Sequence, residues 1–308
     1  MAALFLKELS EYLISLGKTP MFWGDIIVGE PDLVKELPEE IICLNWGYSP
    51  EQSEEPSSKM AATGVQQYMC PGVCGWNQWM NQIENSYKNI KLMTSYAKKY
   101  NALGILNTDW GDFGHVNEPR YSIPGLIYGA NFSWNTDNVE FNEINKAISK
   151  VEYKDNSESL VSIMSEIAKN INFDWCQAVL YYEKKALGKE SAPIGTIKEL
   201  EEQNNNLFAL NKELLQKVID IDSSKRDIIE YIDVTIDCIK IWNEVGEIIY
   251  KLENSKFISK DEATFLAKKI EEWFMKFKEL WRRETREGDL AHISHIVFWY
   301  CDLLRDIK

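Results

Sequence analysis

The chain has 308 residues, room for about two domains of 100–200 residues each. Its 48 acidic and 34 basic side chains leave a net charge of −14, which repels phosphate backbones and anionic lipid and argues against nucleic-acid or membrane-surface binding. A composition of 45% hydrophobic and 27% charged residues is that of an ordinary globular protein, and no apolar run reaches the roughly 18–20 residues that span a bilayer.

Glycine and proline divide the chain. Residues 1–136 hold 12 of the 16 Gly and 8 of the 9 Pro, so a turn-rich first part (1–136) is followed by a part (137–308) able to run as long helices. The opening segment is amphipathic and carries Glu8, without the basic-then-apolar layout of a signal peptide. Leu4, Phe5, Leu9, Tyr12, Leu13 and Leu16 fall at helical spacing, and Gly17 closes that helix. Short apolar runs follow at 20–28, 41–46, 65–70 and 102–108, with a helical stretch near 81–100 before the last of them. Strands alternating with helices predict βαβ units and a parallel sheet.

From 137 onward the periodicity predicts helices near 137–151, 156–170, 173–188, 194–220, 224–254, 260–284 and 288–306. Ser259 and Glu262 offer a capping box for one of them. Trp242, Trp273, Trp281 and Trp299 lie on these helices, where packing of a bundle core explains them. The six cysteines are scattered, as in a reduced, cytoplasmic protein. Cys70 with Cys74, and His292 with His295, are spaced as ligand pairs, but no second pair completes either, so neither a metal nor a cofactor is expected.

Each expected strand ends in aromatic and polar residues. The first ends Phe22-Trp23-Gly24-Asp25 and the second Asn45-Trp46-Gly47-Tyr48. The third ends Tyr68-Met69-Cys70, followed by Trp76-Asn77, and the fourth Asn107-Thr108-Asp109-Trp110-Gly111-Asp112. In parallel α/β architectures the functional face is the carboxyl end of the strands. Strand parity would point Trp23 with Asp25, Tyr68 with Cys70, and Trp110 with Asp112 to common sides. Flat rings beside carboxylates and amides suit a sugar: rings cover the C–H face of a pyranose, and Asp and Asn meet its hydroxyls. Core aromatics beneath the strands are the competing reading.

These segments, with Pro124-Gly-Leu-Ile-Tyr-Gly-Ala130 and Ser133-Trp-Asn135, resemble glycoside hydrolase family 20, the β-N-acetylhexosaminidases, over roughly residues 3–136. The helical remainder resembles the C-terminal helical domain of one branch of that family. The resemblance implies an α/β fold: strands 5–8, half of a (β/α)8 TIM barrel, followed by an all-α domain. It implies exo-hydrolysis of terminal N-acetylhexosamine by substrate-assisted retaining catalysis, in which the 2-acetamido oxygen attacks the anomeric carbon. It makes Tyr68 the residue that orients the acetamido group, Trp110 the wall of the acetamido pocket, and Asp112 the holder of distal hydroxyls. Trp23, Asp25, Trp46, Trp76, Asn77 and Asp109 complete the expected substrate-binding set. Cys70 stands where many members carry Asp, so Asn77 or Asp109 is expected to bind what that Asp binds.

The family's acidic pair, an Asp preceding the general acid Glu, sits at the end of a strand before these. Asp261-Glu262 and Glu39-Glu40 are not at strand ends, so no acid is assigned within this chain. The chain therefore reads as a C-terminal half, expected to be inactive alone and to associate as a homodimer or with an N-terminal half. An inactive or purely carbohydrate-binding barrel module is the alternative. A different barrel hydrolase using Asp25, Asp109 and Asp112 is a third reading.

Overall fold

A computed structural model describes residues 2–135, 139–190 and 200–307. The chain forms two compact units. The first comprises Met1–Cys74, Ile83–Asp109 and Ser122–Val139; the second comprises Gly75–Gln82, Trp110–Tyr121 and Glu140–Lys308. The boundary expected at 136/137 lies outside the described residues. Among the described residues no helix is long and apolar enough to cross a membrane.

The first unit is built on strands β1 (Met21–Trp23), β2 (Ile42–Trp46), β3 (Gln66–Cys70) and β4 (Gly104–Ile105), parallel throughout and adjacent in chain order. Helix α1 (Ala2–Ser15) precedes β1. Gly17 ends that region at φ +71, with the Lys18 amide donating to Leu13 O at 3.0 Å. The short α2 (Asp25–Gly29) and a 3₁₀ segment Pro31–Glu36 follow β1; α3 (Glu55–Thr63) follows β2. Helix α4 (Ile83–Lys99) lies between β3 and β4 in the chain, and α5 (Ile123–Trp134) comes after β4.

One sheet face is covered by these helices. Cys43 packs with Ile27, Leu37, Ile41 and Met60, and Met69 packs with Met93 and Ala97. Between these two apolar clusters sits a buried polar contact: Asn45 Nδ2 donates to Gln67 Oε1 at 3.1 Å, and Gln67 Nε2 donates to Ser57 O on α3 at 3.2 Å. Each group thus finds the partner that its burial demands.

Two parts of the strand-parity expectation fail. Asp25 does not extend β1 beside Trp23; it is the first residue of α2. The chain turns at Gly24, where a Cβ would stand 2.7 Å from Cys43 Sγ, so only glycine allows this close turn over β2. Trp110 and Asp112 are not on a strand either. β4 ends at Ile105, and beyond the isolated bridge of Gly72 with Thr108 the chain enters a turn with Phe113 at φ 56 and Gly114 at φ 83.

The second unit is helical, with α6 (Phe141–Val151), α7 (Leu160–Ala168), α8 (Trp175–Leu187), α9 (Leu200–Gln216), α10 (Ile228–Glu253), α11 (Lys260–Glu284) and α12 (Gly288–Arg305). The first residues of the helices expected at 137–151 and 194–220 lie outside the described residues. Ser259 Oγ accepts from the Glu262 amide at the start of α11, while a reciprocal capping box forms at α8 between Asp174 and Gln177. Trp242, Trp273 and Trp281 are buried and Trp299 is half-buried. Their centre is a residue the periodicity does not single out. Trp79 stacks on Trp242 at 5.1 Å and meets Trp175 and Trp273 edge-on, and its Nε1 donates to Phe173 O at 2.9 Å.

Candidate functional site

In parallel strands, residues in register lie side by side on one face. Trp23, Leu44, Tyr68 and Gly104 are in register across the four strands, and Trp46 pairs with Cys70 one pleat further toward the carboxyl ends. This is the sheet face opposite the helix-covered clusters. Trp23 and Trp46 are about two-fifths exposed, Tyr68 is half-buried, and Cys70 is fully buried. The Tyr68 ring lies over Gly104, where a Cβ would be 3.3 Å from its Cε1. Trp46, the last residue of β2, stacks on Tyr48 in the following loop at 5.2 Å with an interplanar angle of 22°, presenting a double-ring platform.

The loops at the carboxyl ends are held by side chains. Asn89, fully buried on α4, donates from Nδ2 to Gly47 O at 2.9 Å and to Ser49 O at 2.8 Å, and accepts from the Gly72 amide at 3.1 Å. Thr108 Oγ1 and its amide both donate to Pro71 O, and the Val73 amide donates to Thr108 O. The loops after β2, β3 and β4 are thereby tied to one another. Of the carboxylates expected in this unit, Asp25 and Asp109 are both exposed. The thiols are deep. Burial and the neighbouring Cys43 push Cys70 up to about 12, and burial alone pushes Cys74 to about 12, so both are neutral thiols.

The other four expected residues belong to the second unit. Asn77 sits at φ 63, and its carbonyl accepts from the Trp175 amide at 3.1 Å and the Cys176 amide at 3.4 Å at the start of α8. Its side-chain Oδ1 is buried without a hydrogen-bond partner among the described residues. Trp175 Nε1 donates to Phe113 O at 3.0 Å, fixing the turn that carries Asp112 beside α8. Burial, then Asp174, then Asp112 raise the Cys176 thiol, which places Asp112 within electrostatic reach of that sulfur. Asn117 joins the two loop segments, donating to Gly75 O at 3.0 Å and to Asn81 Oδ1 at 2.8 Å. Trp76 and Trp110 are half-buried on these same segments.

The structure therefore groups Trp23, Trp46 and Tyr68 in one unit, and Asn77 with Asp112 around the start of α8 in the other. It adds residues that pattern reading missed: Asn89, Asn117, Trp175 and Cys176. Asn89 carried a signal, being an amide on the stripe of α4 that includes Ser86, Ile90 and Met93. A groove of about 590 Å³, lined by Tyr87, Lys88, Lys91 and Phe132 among others, contains none of the nine expected residues.

Among the described residues no three His, Cys, Asp or Glu side chains are grouped to hold a metal. His295 Nε2 lies 2.8 Å from the Tyr182 hydroxyl, which supplies its partner within the bundle.

No protein-family model matches the chain, and no curated protein matches it. Among solved structures, a family GH115 4-O-methyl-alpha-glucuronidase with specificity for decorated arabinogalactans is similar at a TM-score of 0.53 and 12% identity, over 87% of this chain and 37% of that one. This chain thus spans well under half the length of that enzyme. The likeness is one of fold: the chain is a mostly helical α/β protein with a small parallel sheet, built like part of a glycoside hydrolase.

Proposed function

We propose that the chain is the sugar-binding half of an exo-acting β-N-acetylhexosaminidase resembling glycoside hydrolase family 20. One observation carries this reading. Trp23 and Tyr68 share a register row on the open sheet face, with the Trp46–Tyr48 stack one pleat further toward the carboxyl ends. Four parallel strands in strict chain order are the pattern from which a barrel grows, whereas doubly wound sheets reverse their order. The solved glucuronidase adds that a glycoside hydrolase accommodates this architecture.

Aromatic rings at strand ends pack against the C–H face of a pyranose, and a tyrosine hydroxyl hydrogen-bonds an acetamido oxygen. In substrate-assisted hydrolysis the sugar's own acetamido oxygen attacks the anomeric carbon, so binding groups orient it without supplying a nucleophile. The general acid of that scheme is assigned to no residue of this chain.

A glucuronoside, the substrate class named for the solved neighbour, fits less well. The first arginine of the sequence is Arg120, so the first unit has no guanidinium fork for a sugar carboxylate. The net charge of −14 also disfavours an anionic ligand. Titrating tryptophan fluorescence with N-acetylglucosamine, glucose and glucuronic acid tests the reading. Quenching by N-acetylglucosamine that weakens at least tenfold in Trp46→Ala supports it; no response, or a preference for glucuronic acid, overturns it.

A further inference from the structure

The groove of about 590 Å³ is built from α4, Phe132 of α5 and Pro50 of the loop after β2, all within the first unit. Its lining is aromatic and apolar at depth: the buried Tyr87 and Phe132 pack edge-on at 5.6 Å, and the half-buried Leu92 adds to them. Its rim is basic. Lys88, Lys91, Ser95 and Lys98 recur at i, i+3, i+7 and i+10, so one face of α4 brings three ammonium groups to the groove.

These lysines are not alike. Lys88 pairs with Glu84 at 2.8 Å. Lys91 is half-buried and meets no carboxylate among the described residues; its Nζ donates to the Tyr87 hydroxyl at 3.1 Å and stands 5.3 Å from the centre of that ring. The Tyr87 hydroxyl in turn donates to Val139 O at 2.6 Å. A neutral group thus positions the Lys91 ammonium, and its charge has no counter-ion in a partly desolvated place. The hydroxyls of Thr94 and Ser95 donate to Ile90 O and Leu92 O, and among the described residues no carboxylate or side-chain amide lines the groove. The side-chain donors left to a ligand are therefore ammonium groups. A neutral sugar, which needs donors and acceptors around its ring, fits such a lining poorly, whereas an anion fits it well.

We propose that this groove binds a small amphipathic anion: an aryl or alkyl carboxylate whose apolar body lies on Tyr87, Leu92 and Phe132 and whose carboxylate pairs with Lys91. Its volume is that of a site for one small molecule, a class spanning about 300–1,000 Å³. The net charge of −14 opposes a polyanion, whose length carries it over the acidic surface beyond the groove. A compact anion stays within about 8–10 Å of the lysines, one Debye length at physiological ionic strength, and is screened from more distant carboxylates. The groove contains none of Trp23, Trp46 and Tyr68, so this inference does not depend on the sugar reading.

Calorimetric titration of the full chain with naphthalene-1-acetate tests it, with acetate, inorganic phosphate and a polyglutamate peptide for comparison. Binding at a single site is expected, with acetate and phosphate weaker by about tenfold or more because they leave the apolar lining bare. Lys91→Met should weaken naphthalene-1-acetate by about tenfold or more through loss of a charge-assisted hydrogen bond, while Lys91→Arg should hold it within about threefold. The ligand series needs no variant, so the proposal stays testable even where a substitution alters folding. Absence of saturable binding overturns it, as does phosphate binding as tightly as naphthalene-1-acetate or an affinity that ignores Lys91→Met. Tighter binding of polyglutamate than of naphthalene-1-acetate also overturns it and would make the groove a protein-docking surface.

Discussion

Asn89 donates from Nδ2 to the carbonyl oxygen of Gly47 at 2.9 Å, from a fully buried position on α4. The same side chain reaches Ser49 O and the Gly72 amide, so one residue fixes the two loops that follow β2 and β3. Asn89→Ala would leave the buried Gly47 carbonyl and Gly72 amide without this partner, whereas Ser49 O keeps the Gln52 amide, at roughly 1–3 kcal/mol for each group that water cannot reach. A loss of about 3 kcal/mol or more in urea unfolding is expected. Because Trp46 ends β2 and stacks on Tyr48 in the clamped loop, tryptophan fluorescence of the surviving folded protein should change as well. Unaltered stability would show that the loops are held by something other than Asn89.

Gly104 makes room for the Tyr68 ring. A Cβ at that position stands 3.3 Å from Tyr68 Cε1, so Gly104→Ala must displace the ring by a few tenths of an ångström. Crowding of this size costs on the order of 1 kcal/mol. The larger effect is expected on ligand: if Tyr68 orients the acetamido group, affinity for N-acetylglucosamine should fall more than affinity for glucose. Equal losses for both sugars would remove Tyr68 from that role.

Much of the architecture is legible in the pattern of residues because it follows from periodicity. The apolar runs at 41–46 and 65–70 become β2 and β3, and the long periodic stretches become α10, α11 and α12. What pattern reading cannot see is a choice made by distant packing. Parity placed Asp25 beside Trp23, yet the tight approach of Gly24 to Cys43, nineteen positions later, ends the strand first. Likewise Trp79 lies in a loop-like stretch, but its stacking on Trp242 draws residues 75–82 into the helical unit. The aromatic and polar residues at strand ends were visible in the sequence. Asn117, which holds its loops, was not, because a buried amide in a loop leaves no periodic signature, and Asn89 showed only as an amide on the buried stripe of α4.

Two tryptophans separate binding from folding. Trp46 is about two-fifths exposed and contacts Tyr48, whereas Trp242 is fully buried among Trp79, Trp175 and Trp273. Trp242→Ala should cost about 3–5 kcal/mol through lost burial and a residual cavity. Trp46→Ala should cost less, about 1–3 kcal/mol in thermal unfolding, since two-fifths of the ring is already in solvent. Sugar affinity should show the reverse order. A Trp46→Ala protein that unfolds many degrees early and binds sugar normally would make Trp46 a packing residue.

The thiols give a prediction in pH. Cys43, Cys70, Cys74 and Cys301 are each pushed up to about 12, chiefly by burial, and burial also raises Cys238 well above its ordinary value, whereas Cys176 alone of the six is not buried. The thiolate is the reactive form. At pH 8 in native buffer, iodoacetamide should therefore add to Cys176 first, and the other five should react only after denaturant. Mass spectrometry of tryptic peptides reads this directly, and early labelling of Cys43 or Cys70 would mean that the sheet opens. Stability follows the same shifts. A thiol in the unfolded chain ionises near its ordinary value of 9.0, while the folded Cys43, Cys70 and Cys74 hold their protons to about 12. Between those values the unfolded state gives up protons that the folded state keeps, so stability must fall as pH rises from about 9 toward 12. Replacing Cys43 and Cys70 together by alanine should flatten that decline, although it lowers stability at neutral pH. An unchanged alkaline slope in the double variant would assign the decline to other groups.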